Sequence, residues 1–147
     1  MPEVEYREFK GLPVEEQEVV LGQYRQARDR YQSILDLSYY GLEGRGLMAV
    51  VPGVEDMSGL TVLLLRKNNL TDTPVIYLCS ALESARTRLE SLDLSENPAL
   101  TDKTALSVCT YAARLHSLRR ADFEEVQISL TVLQKLATAL KANQRSN

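Results

Sequence analysis

The chain has 147 residues, 44% of them apolar and 25% charged, with 17 Lys and Arg against 20 Asp and Glu for a net charge of −3. That size and balance suit a single domain able to build a core without metal or disulfide support, and the mild acidity lacks the electrostatic footprint of a nucleic-acid binder. No apolar run approaches the length of a membrane span and the opening MPEVEYREFK is too charged for a secretory leader, so the expectation is a cytoplasmic protein.

Acids crowd the start of the chain (Glu3, Glu5, Glu8, Glu15, Glu16 and Glu18), whereas Lys135, Lys141 and Arg145 lie near its end. Acids near a helix start and bases near a helix end suit the helix dipole. Leu12-Pro13 followed by Glu15 and Glu16 is a helix-start signal. Beyond it Val20, Tyr24, Ala27 and Tyr31 fall on one helical face. Residues 1–32 therefore read as a tail and a capping helix, and 33–147 as one compact repeat domain.

Two segments of that domain superimpose. Leu60, Leu63, Leu65 and Asn68 recur as Leu89, Leu92, Leu94 and Asn97, a shift of 29 residues. With one extra residue, Pro98 or Ala99, the match extends to Leu70, Thr71, Asp72 and Cys79 against Leu100, Thr101, Asp102 and Cys109. Self-similarity at such a period marks a stacked-repeat architecture, and one unit cannot bury its apolar face alone, so worn flanking copies are expected. Upstream, Leu35, Leu37 and Leu42 stand where Leu63, Leu65 and Leu70 do, with Tyr40 replacing the Asn. Downstream, Leu118, Ala121 and Phe123 match Leu89, Leu92 and Leu94, with Val126 replacing the Asn.

Within each unit the alternating leucines predict a short strand with one buried face. The Asn is a side-chain donor and acceptor at the turn, able to satisfy backbone groups that stacking would bury. Thr71 or Asp72, and Thr101 or Asp102, stand where a helix N-cap is wanted, and Pro74 suits a first turn. Helical spacing follows in Val75, Leu78, Cys79 and Leu82, and in Ala105, Leu106, Cys109 and Ala112. A last helical stripe, Leu130, Leu133, Ala137 and Leu140, is expected to close the array, with KANQRSN as a frayed polar end.

The pattern LxxLxLxxNxL followed by a helix resembles the leucine-rich repeat family, and its long period resembles the ribonuclease-inhibitor-like class. That resemblance implies an α/β leucine-rich repeat solenoid of about four strand-helix units with an N-terminal capping helix. It also implies a protein-interaction module, similar in kind to the repeat domains of tropomodulin-type actin cappers and of Ran GTPase-activating proteins.

Catalytic equipment is not visible. His116 is the single histidine and has no Cys, Asp or Glu around it at metal-ligand spacing. Cys79 and Cys109 fall on apolar helix faces and read as buried, reduced residues. GLEGRG, Gly41 to Gly46, lacks the Lys-Ser/Thr ending of a phosphate loop and falls at a strand-to-helix turn. The expectation is no enzyme activity, cofactor, metal or small-molecule substrate, and a protein partner rather than nucleic acid or membrane.

On a strand, residues between the leucines point the other way and in a curved array line its inner surface. That register selects Asp36, Val62, Leu64, Arg66, Asp93, Ser95, Arg120, Asp122 and Glu124 as candidate protein-binding residues. Asp36, Leu64, Asp93 and Asp122 should stand in one row with Arg66 and Arg120 at its margins. Exposed Val62 and Leu64 would serve as anchors and the charged rim as the source of specificity. A cytoskeletal or ciliary scaffold suits this reading. The alternative is a regulator of a partner enzyme, such as a GTPase-activating protein using Arg66, Asn68 or Asn97.

Overall fold

A computed structural model describes residues 14–30 and 33–145. Strands and helices alternate after a first helix: α1 (Val14–Arg30), β1 (Ile34–Asp36), α2 (Glu43–Glu55), β2 (Val62–Leu64), α3 (Asp72–Ser84), β3 (Ser91–Asp93), α4 (Asp102–Leu115), β4 (Arg120–Asp122) and α5 (Leu130–Arg145). The four strands form one parallel sheet in the order β1-β2-β3-β4, so each strand-helix passage advances by one strand. Each helix packs on the next, α1 on α2 through to α4 on α5, and α1 also packs against β1.

The leucine pattern explains the sheet. Leu35, Leu63 and Leu92 are hydrogen-bonding neighbours across β1, β2 and β3 and are buried, with Leu37, Leu65 and Leu94 buried just beyond the strand ends. They meet Leu47, Val51, Leu78, Leu82, Val108 and Ala112 from the helices in one core. Alternate strand residues turn away from it, as period-2 geometry requires.

Thr71 and Thr101 take extended N-cap conformations, and Asp72 and Asp102 place negative charge in the first turns of α3 and α4. Asp72 does more than that. Its carboxylate accepts hydrogen bonds from Thr101 N (2.9 Å), Thr101 Oγ1 (2.6 Å) and Thr104 Oγ1 (2.7 Å), tying one helix start to the next. Asp102 repeats the link by accepting from Ser129 N at 2.8 Å.

Asn68 and Asn97 lie fully buried behind the strands. Asn68 Oδ1 accepts from Tyr40 N and Leu42 N, and its Nδ2 donates to Leu37, Leu65 and Arg66 carbonyls. Asn97 does the same one unit later, towards Asn68 N, Leu70 N and the carbonyls of Leu65, Leu94 and Ser95. The residue preceding each such position, Tyr39, Lys67, Glu96 or Glu125, has φ of 63°, 54°, 57° or 60°. One left-handed turn is thus reused in all four units, by side chains for which it is unfavourable.

At the first end, Tyr24 and Ala27 of α1 are buried and Val20 packs against the core. Tyr31, expected on the same face, lies outside the described residues. Gly53 admits this packing, since a Cβ there would come within 2.6 Å of the Tyr24 ring.

The last helix differs from expectation. Leu130, Leu133 and Ala137 are exposed, Leu130 by 70%, while the inward side is Leu136 and Asn143 with partly buried Ala139 and Leu140. The inward face is turned from the apolar stripe because it carries a buried amide. Asn143 Nδ2 donates to the carbonyls of Ala112 (3.0 Å) and Leu118 (2.7 Å), and Gln144 Nε2 donates to Arg119 O (3.0 Å). The segment expected to fray is, through Arg145, still helix.

Candidate protein-interaction face

The site grows from the strand residues that turn away from the helices. Ile34 pairs with Val62, Val62 with Ser91 and Ser91 with Arg120. The next row is Asp36, Leu64, Asp93 and Asp122, side by side in that order. Ile34 is 37% exposed. Val62 and Leu64 are half-buried rather than exposed, because neighbouring side chains crowd a parallel sheet face on both sides.

Arg66 follows β2 and was expected at the margin of this face. Instead it lies over it, bound to three carboxylates: Nε to Asp93 Oδ2 at 3.3 Å, Nη1 to Glu96 Oε2 at 2.9 Å and Nη2 to Glu124 Oε2 at 3.3 Å. These contacts strengthen its proton affinity, the Glu96 hydrogen bond most of all, so the charge is permanent. Burial works to raise the Asp93 pKa, but hydrogen bonds from Ser95 and Arg66 outweigh it and hold the carboxyl below its ordinary value. Arg120 is largely exposed and pairs with Asp122 at 2.9 Å.

Ser95 does not belong to this face. It is fully buried, and its Oγ accepts from Glu124 N at 2.9 Å. The strand ends at Asp93, so the simple alternation used to place Ser95 stops applying two residues earlier. Ser38 does the same work for Arg66 N at 3.1 Å.

Two residues not singled out in the sequence join the cluster. Tyr39, 62% exposed, donates its hydroxyl to Glu96 Oε2 at 3.3 Å. Both occupy the left-handed position just before the Asn or its substitute, together with Lys67 and Glu125. That recurring position was the available signal. Arg66, Lys67, Asn69, Glu96, Glu124 and Glu125 also border an open depression beside the face.

Among the described residues no group of His, Cys, Asp and Glu could hold a metal ion, and no helix is long and apolar enough to cross a membrane. Cys79 and Cys109 are free and buried, and burial pushes the Cys79 thiol up to about 12. His116 is exposed and forms the left-handed end of α4. No protein-family model matches the chain, and no curated protein was found to match it.

Proposed function

We propose that the chain is a leucine-rich repeat solenoid of the ribonuclease-inhibitor-like class and acts as a non-enzymatic module that binds another protein through the sheet face turned away from its helices. The observation that carries this reading is the apolar group Ile34, Val62 and Leu64 on that face, bordered by Asp36, Asp93 and the Arg66 cluster. Apolar anchors inside a charged rim are the anatomy of a protein contact. The unit-by-unit Asn and Asp hydrogen bonds support the repeat assignment. An intracellular scaffold, cytoskeletal or ciliary, fits a domain of this kind.

The test is affinity capture from the native cell with the wild-type chain and with Leu64→Asp combined with Asp93→Lys. The expected result is loss of the specific partner from a variant that stays folded by circular dichroism. Undiminished capture would sink the proposal.

The second reading, regulation of a partner GTPase, draws less support. Asn68 and Asn97 spend their amides on buried backbone, and Arg66 is held by three carboxylates, so inserting any of them into a partner's site requires breaking those bonds. It predicts that Arg66→Ala lowers a GTPase rate while binding persists.

A further inference from the structure

The two ends of the sheet are finished differently. At β1 a helix, α1, packs against the edge strand. At β4 the strand pairs, among the described residues, on one side only, with β3, while α5 packs on α4. Gln144 covers Arg119 O at the start of that edge, and Asn143 covers Leu118 O.

The apolar residues exposed on α5 stand at positions that in α3 and α4 either reach the following unit or are buried. The matched Asp72–Thr101 and Asp102–Ser129 hydrogen bonds set the alignment. Under it Leu130 corresponds to Asp72 and Asp102, which reach the next unit. Leu133 corresponds to Val75 and Ala105, and Ala137 to Cys79 and Cys109, all four of them buried. In α5 these same positions carry apolar side chains and remain open, with Leu133 41% exposed. The surface is built to be covered.

We propose that a second copy of this chain covers it, giving a two-fold dimer through β4 and α5. Head-to-tail stacking of copies is blocked, because α1 already occupies the β1 end. A second copy can therefore meet the open end only with its own open end, which closes the assembly at two. The two β4 strands then run antiparallel. The strand reads Arg120-Ala121-Asp122, so pairing Ala121 with its mate sets Arg120 of each copy opposite Asp122 of the other. The edge is its own electrostatic complement, and the same two-fold sets α5 antiparallel to its mate, so that the exposed apolar residues of each helix lie across the other copy's α5.

Sedimentation equilibrium of the full chain tests this. The wild type is expected to be a dimer. Leu133→Asp and Arg120→Asp should each weaken it at least about tenfold in Kd, equivalent to about 1.4 kcal/mol. Combining Arg120→Asp with Asp122→Arg should restore the wild-type mass, since the reversed pair is again self-complementary. Leu64→Asp should leave the dimer intact, which separates this interface from the partner-binding face. A chain that stays monomeric at every concentration overturns the proposal, including one whose open end instead captures a strand and helix of another protein. A dimer indifferent to Leu133→Asp, or one not rescued by the double exchange although circular dichroism shows it folded, overturns it equally.

Discussion

Asn97 carries the backbone of Asn68, its own counterpart one unit earlier: its Oδ1 accepts the Asn68 amide at 2.9 Å and the Leu70 amide at 3.1 Å. Both side chains are fully buried, so nothing from solvent can replace these bonds. The relationship makes the turns of the first two units depend on the unit that follows each. Asn97→Ala should therefore destabilise by on the order of 3 kcal/mol, because several buried backbone groups lose their partner at about 1–3 kcal/mol each. Urea unfolding checks this. A loss comparable to that of a surface substitution would show that the turn satisfies itself by another route.

Asp72 links stability to pH. Burial tends to raise its pKa, but the Thr101 hydroxyl and amide, the Thr104 hydroxyl and the Lys103 charge outweigh burial and bring it below the ordinary 3.8. A carboxyl whose folded pKa is depressed contributes stability that is fully present above the unfolded value and is lost as pH falls through the folded one. The melting temperature should thus drop as the pH goes below about 4, and Asp72→Asn should start lower at neutral pH and show a shallower acid slope. Parallel slopes for the two proteins would assign the acid sensitivity to other carboxyls.

Arg66 is a cluster organiser more than a fold determinant. Removing it leaves Asp93, Glu96 and Glu124 facing one another without their shared cation. Arg66→Gln should lower thermal stability modestly at low salt, with the difference shrinking as salt rises, because like charges on an accessible surface are screened. A salt-independent loss would mean that packing of the Arg66 stem, rather than charge, is what the site uses.

How much of this was legible beforehand depends on how local the cause is. The burial of Leu63 and Leu65 follows from strand periodicity, and the caps Thr71 and Thr101 follow from residue type next to an apolar helical run. The row Asp36, Leu64, Asp93, Asp122 follows from the repeat length alone. Ser95 was misplaced because a strand of three residues ends before the alternation reaches it. The reach of Arg66 to Glu124 was not legible, since a long side chain crosses two strands and no spacing rule limits where its head settles. Leu130 and Leu133 were misassigned because apolar residues were assumed to face inward, and the polar side chain that displaced them, Asn143, carries no helical-stripe signal.

The cysteines give a simple chemical readout of the core. Cys79 and Cys109 are 5% and 7% exposed, and burial raises both thiols, Cys79 to about 12. The thiolate is the reactive form, so both should resist a soluble disulfide reagent at neutral pH and react together when the chain unfolds. Prompt labelling of either in the native protein would place its helix face in solvent.

Asn143 offers the sharpest test of how the array is closed. The last unit has Val126 where Asn68 and Asn97 stand, so it lacks that amide, and closure falls to α5. From that helix the Asn143 amide reaches back to Ala112 at the end of α4 and to Leu118 just before β4, while itself 2% exposed. Replacing it with Ala removes two buried hydrogen bonds and leaves both carbonyls without that donor, a loss of about 2–3 kcal/mol. Lys141→Ala, exposed on the same helix, should cost far less. Native-state hydrogen exchange should also show α5 opening more readily in Asn143→Ala, with α2 and α3 protected as in the wild type until global unfolding. If α5 protection is unchanged, closure rests on Leu136 and its apolar neighbours alone, and the amide is a passenger.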